Sequence, residues 1–220
     1  PPDPPHPPHP TQEQLGTKEG YFLTYGRAWA NASNTPYREY KHWVHEGGIA
    51  TPMIVHWPQG IPENKNGSYI REYGYLPDIM PTFLELAGTS YPDSYHGNKL
   101  KPLQGKSLMP LILGMDKSVH DDPLFFEHEG NKAVRLGKFK LVQDYEPDEK
   151  DNWELYNLEE DRTEMHDLYE EMPEKAHEMQ SLYEKWAEEH QVAPWDSILE
   201  IRRRKQQENE KLDLDQDNEP

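Results

Sequence analysis

The stretch from Pro123 to His190 constrains the fold of this chain more than any other. Leu124-Phe125-Phe126, Ala133-Val134-Arg135, Phe139-Lys140-Leu141-Val142 and Trp153-Glu154-Leu155-Tyr156 are short runs rich in aromatic and aliphatic residues. Glu129-Gly130-Asn131 and Leu136-Gly137-Lys138 supply turns between them. Runs of this length between turn residues predict strands joined as antiparallel hairpins. From Pro173 to His190 the period changes. Ala176, Met179, Leu182, Tyr183, Trp186 and Ala187 recur at helical spacing. Pro173 suits the first helical position, where its missing N–H costs nothing. An apolar helix stripe must be buried against something, and a sheet face is the nearest partner. The expectation is a four-stranded antiparallel sheet packed on a C-terminal helix.

Composition narrows the possible functions. Only 34% of the residues are hydrophobic and 29% are charged, but 11% are aromatic, so disorder over the whole length is not expected. The net charge of −18 is unevenly placed. Residues 1–142 carry 15 acids and 14 bases, whereas residues 143–220 carry 26 acids and 9 bases. Nucleic-acid binding wants a basic face, and this balance argues against it. No apolar run approaches the ~20 residues of a membrane-spanning helix. Without Cys the chain has no disulfide and no thiolate metal site, which leaves its compartment open.

The remaining segments are less regular. Pro1 to Pro10 is proline-rich and reads as an extended linker. Thr11 to Thr35 reads as a surface excursion. Met53 to Trp57 is a short apolar run consistent with a buried strand. Asp78 to Ala87 is predicted helical, with Asp78 as N-cap, Gly88 as terminator, and Ile79, Met80, Phe83, Leu84 and Ala87 on one face. Tyr91 to Asp122 is loop-rich, with a helical turn near Leu108 to Leu113. Beyond Trp195 the polar composition predicts a solvated helix or a disordered tail.

The chemistry-bearing segment is Tyr40-Lys41-His42-Trp43-Val44-His45-Glu46-Gly47-Gly48-Ile49-Ala50-Thr51-Pro52, ahead of the apolar Met53-Ile54-Val55. A lysine five residues before Glu-Gly-Gly resembles the substrate-binding lysine segment of type I, formylglycine-dependent sulfatases. Tyr25-Gly26-Arg27-Ala28-Trp29-Ala30-Asn31-Ala32-Ser33-Asn34-Thr35-Pro36 narrows the resemblance to the arylsulfatase branch. It covers roughly residues 20–195. It implies an α/β protein of the alkaline-phosphatase-like superfamily, α+β within this chain: the end of a sulfatase sheet, then the small sheet and helix. The expected divisions are a proline-rich linker over 1–19, the C-terminal part of the catalytic domain over 20–122, the sulfatase C-terminal subdomain over 123–196 and a charged tail over 197–220.

The resemblance also implies parts that this chain lacks. The family's formylglycine arises from Cys or Ser in Cys/Ser-x-Pro-x-Arg. The nearest candidate, Ser33-Asn34-Thr35-Pro36-Tyr37-Arg38, has its Ser three residues before Pro. The calcium-binding Asp-Asn-Gly is also missing; Asp217-Asn218 runs into Glu-Pro. The chain therefore reads as the C-terminal portion of a longer, secreted or periplasmic sulfuric ester hydrolase. Calcium and formylglycine are expected in the parent and neither in this portion, which alone is expected to be inactive. Expected partners are a small-molecule or glycan sulfate ester and the missing N-terminal part of the sulfatase domain. A phosphoryl hydrolase of the same superfamily and a non-catalytic acidic interaction module stay open as alternatives.

Within the resemblance, Lys41 is the catalytic candidate, holding the ester sulfate with a compact ammonium. His45 and His128 are the further substrate-binding candidates. Glu46 reads as structural, because a carboxylate beside a sulfate would repel it. The paired glycines allow positive φ and close backbone approach. Glu127-His128-Glu129 invites a metal or acid–base reading, and equally that of a wet strand end; no metal ligand is assigned from the sequence.

Overall fold

The computed structural model describes residues 26–115, 118–149 and 151–216, with side chains as far as 209. The proline-rich linker of 1–19 and the Asp217-Asn218 pair lie outside these residues. In chain order the helices are α1 (Gly26–Ser33), α2 (Glu46–Ile49), α3 (Ile79–Leu86), α4 (Met109–Ile112), α5 (Pro173–Glu189) and α6 (Trp195–Gln216). The strands are β1 (Ser94–Tyr95), β2 (Asn98–Lys99), β3 (Leu124–His128), β4 (Asn131–Leu136), β5 (Phe139–Gln143) and β6 (Trp153–Asn157).

The second half follows the sequence pattern. β3-β4-β5-β6 form one antiparallel sheet of four neighbouring strands. Val134 lies opposite Leu141, and Leu141 opposite Leu155, so the three share one face. That face packs against Ala176, Met179 and Tyr183 of α5 in a closed core with Trp153. Phe125 and Trp186 stack at its margin, with centroids 5.0 Å apart. Outside β6, Asp167 accepts a hydrogen bond from Leu155 N at 2.9 Å and Leu168 N donates to Leu155 O at 2.7 Å. This sheet edge is thereby paired rather than left open.

The opposite face of the sheet is also covered. The pleat places Ala133, Val142 and Tyr156 there, in a second core with Val44 and Leu158. The covering layer comes from the segment around Val44, roughly a hundred residues earlier in the chain. Antiparallel sheets often leave one face wet; this one has two dry faces, α5 on one side and the Lys41 segment on the other.

Two expectations for the first half need correction. Met53 to Trp57 forms no strand, and Met53, Ile54 and Val55 are 56, 93 and 39% exposed. No strand among the described residues lies alongside to pair with it, and an apolar run by itself cannot make a ladder. Asp78 does not cap α3 with its side chain. Its buried carboxylate instead accepts hydrogen bonds from Tyr75 N at 2.6 Å and Lys106 N at 2.8 Å, and meets His120 Nε2 at 2.7 Å. It ties three loop segments together. α3 still ends at Gly88, at φ +64°, but Met80 and Phe83 on its apolar face remain exposed.

Candidate functional site

The Lys41 segment is anchored immediately downstream by three consecutive buried residues, Val44, His45 and Glu46. Glu39 (φ 65°) and His42 (φ 116°) kink the chain on either side of Lys41, a conformation that non-glycine residues seldom adopt. Lys41 is exposed, and no carboxylate among the described residues pairs with its ammonium. The kinks thus lift one cation out of a segment whose next residues are fixed inside.

Buried charge does the fixing. The Lys140 ammonium, fully buried on β5, lies 3.2 Å from Glu46 Oε1 and 2.8 Å from Glu164 Oε1. Glu164 Oε2 accepts the Glu46 backbone N–H at 2.7 Å, and Arg162 reaches Glu46 Oε2 at 3.4 Å. Burial by itself would raise the Glu46 carboxyl, but Lys140, with Arg135 and Arg162, holds it below its ordinary value. The structural role expected for Glu46 is the one it has.

His45 has no exposed surface. Its Nε2 lies 3.1 Å from Glu154 Oε2 and its Nδ1 3.3 Å from Asp144 Oδ1. Burial disfavours the imidazolium, but the two carboxylates outweigh it and raise the pKa. Glu154 also accepts two hydrogen bonds from the Arg38 guanidinium, at 2.9 and 3.3 Å, while Arg38 Nη1 donates to Tyr156 at 2.7 Å. Burial pulls Glu154 upward; His45 and Arg38 together bring it down to about 2.

The glycines act through proximity alone. Gly47 and Gly48 lie in the short helix α2, and neither has positive φ. A Cβ on Gly47 would fall 2.1 Å from Glu39 O, and one on Gly48 2.0 Å from Trp43 O. The expectation of positive φ is therefore corrected, and that of close approach holds.

His128 ends β3 in an exposed position. The β3–β4 turn passes through Glu129 and Gly130, both at positive φ. Buried Asn131 then donates to His128 O at 2.9 Å and to His42 O at 3.3 Å. This links the hairpin to the Lys41 segment, and the His42 and His128 rings lie edge to face with centroids 5.8 Å apart. Donor atoms of His42, His128 and Glu129 all fall within 4.8 Å of one another. The structure thus brings the residue after Lys41 up to His128 and turns His45 inward. Sequence reasoning missed Arg38, Lys140, Glu154 and Glu164. The available signal was slight: one charged residue inside each of two otherwise uncharged strands, Lys140 in β5 and Glu154 in β6.

The family described as "N-sulphoglucosamine sulphohydrolase, C-terminal" matches residues 38–193, and the chain belongs to this sulfatase C-terminal family. An uncharacterized sulfatase of Schizosaccharomyces pombe is 34% identical over 172 residues, which are 76% of this chain and 30% of the relative. An N-acetylglucosamine-6-O-sulfatase of Bacteroides thetaiotaomicron is 27% identical over 132 residues, 59% of this chain and 23% of the relative. The crystal structure of Ps i-CgsB aligns with a TM-score of 0.56 at 26% identity, covering 70% of this chain and 32% of that one. The same protein has been solved in complex with k-i-k-neocarrahexaose. The chain spans less than a third of the length of each of these relatives. Its mixed architecture, a four-stranded antiparallel sheet with C-terminal helices, is that of the C-terminal part of sulfatases of the alkaline-phosphatase-like fold.

Proposed function

We propose that this chain is the C-terminal part of an arylsulfatase-type sulfuric ester hydrolase and supplies the lysine that neutralises the ester sulfate. The observation that carries the reading is Lys41: an exposed ammonium, without a carboxylate partner among the described residues, held out by strained backbone and anchored through Glu46 and His45 to the sheet. A fixed cation gains most where charge develops during reaction, because it need not reorganise. His128 serves as a substrate contact on the adjoining hairpin. His45 positions the segment, since both its nitrogens face carboxylates.

The substrate class is a small-molecule or glycan sulfate ester. Support comes from the relative named for an N-acetylglucosamine sulfate and from the Ps i-CgsB complex. The family's calcium and formylglycine belong to the rest of the parent. This chain has neither Asp-Asn-Gly nor Cys/Ser-x-Pro-x-Arg, so its residues do not fit those groups and no step is assigned through them. The apolar surface of Met53, Ile54, Met80 and Phe83 suits the N-terminal part of the sulfatase domain as its cover.

The test pairs two proteins. The full-length parent should hydrolyse a chromogenic aryl sulfate, and Lys41→Ala should lower kcat/KM by roughly 10²–10³. Its melting temperature should barely move, since exposed substitutions usually cost within about 0.5 kcal/mol. The 220-residue chain alone, with calcium, should turn over none. Unchanged kcat/KM in Lys41→Ala, or turnover of phosphate esters in place of sulfate esters, refutes the reading.

A further inference from the structure

We infer that His42, His128 and Glu129 form a binding site for a borderline divalent transition metal of the zinc type, separate from the calcium chemistry of the parent. Three features support it. Two imidazoles and a carboxylate are a donor set suited to zinc and cobalt, whereas calcium takes six to eight oxygens and finds one carboxylate here. The spacing fits as well. His42 Nδ1 and Glu129 Oε2 are 3.1 Å apart. Two donors on one tetrahedral zinc lie about 3.3 Å apart, given bonds of about 2.0–2.2 Å. All three donors fall within 4.8 Å of one another, and His128 is exposed.

The third feature is support from beneath. Asn131, almost fully buried, holds the carbonyls of His42 and His128 on one side-chain amide and accepts Tyr145 N through its Oδ1 at 2.9 Å. Glu127 Oε1 accepts Gly130 N at 3.0 Å and fixes the turn that carries Glu129. Trp43 packs edge to face on the His42 ring at 4.8 Å. Outer residues of this kind orient metal ligands. Arg202 contacts the other Glu129 oxygen at 3.5 Å on the exposed side, leaving Oε2 for the metal. A fourth coordination position stays open to water. The site does not depend on the sulfatase reading. If both hold, zinc and substrate compete for His128.

Isothermal titration of zinc and the visible spectrum of bound cobalt, both on the full chain, test the site. The expected result is one metal per chain, with the intense absorption of tetrahedral cobalt, unaffected by millimolar calcium. His128→Ala and Glu129→Gln, both at solvent-accessible positions, should each weaken binding at least about tenfold, as should His42→Ala. A His6→Ala/His9→Ala variant should bind as the parent chain does. Circular dichroism checks that each variant is folded; should His42→Ala not fold, the other two carry the test. Unchanged affinity in His128→Ala and Glu129→Gln overturns the inference. So does loss confined to His6→Ala/His9→Ala, or displacement of zinc by calcium.

Discussion

Replacing Lys140 with methionine probes the attachment of the Lys41 segment at its centre. The ammonium is fully buried, 2.8 Å from Glu164 and 3.2 Å from Glu46, and both carboxylates are buried too. At an effective dielectric near 20 each pair is worth about 5–6 kcal/mol of gross attraction. Desolvating the three groups offsets most of that, so the intact network contributes little net stability. Removing only the cation is another matter, because two carboxylates then face each other without their shared partner. The expected loss at pH 7 is about 3–5 kcal/mol, a large share of a typical total of about 5–15. Lys140→Met/Glu164→Gln keeps an acceptor for Glu46 N and removes one stranded charge. It should be more stable than Lys140→Met alone, by roughly 1–2 kcal/mol. Urea unfolding followed by tryptophan fluorescence reads all three proteins. A loss under about 1 kcal/mol for Lys140→Met, or a double variant no better than the single, would refute the reasoning.

Three further outcomes are expected. Gly47→Ala should destabilise by about 1–3 kcal/mol, because the new methyl would lie 2.1 Å from one backbone oxygen and 2.3 Å from another; a neutral result would mean that the Glu39 turn yields easily. Stability should be greatest between about pH 4.5 and 6.5. His45 has a raised folded pKa, so its contribution is complete below its ordinary 6.5 and fades as pH rises through the folded value. Glu154, held near 2, contributes above its ordinary 4.5 and loses that contribution as pH falls toward 2. Urea midpoints across pH should show His45→Gln lacking the alkaline decline; a decline as steep as the parent's would clear His45. Amide exchange should be slow in 133–142, inside the sheet, and fast in 51–57, which has no ladder partner among the described residues; equal protection would contradict the exposed placement of Ile54.

The small sheet and its covering helix were legible in the sequence alone. Strand and helix periods are local properties, and Val134, Leu141 and Leu155 fall on one face under any folding of those runs. The hairpin turn at Gly130 and the stop at Gly88 were legible for the same reason: a positive φ is a demand on one residue. What covers the other face of the sheet is set by long-range packing. Nothing local marks Lys140 and Glu154 for burial; a segment some hundred residues away brings Glu46, Arg38 and His45 onto them. That pairing is long-range, and the stability of a buried charge depends wholly on its partner. Asp78 makes the same point within shorter reach. Its type and position suggested a helix cap, but its carboxylate serves Tyr75, Lys106 and His120, drawn together by loop packing with no periodic trace in the sequence.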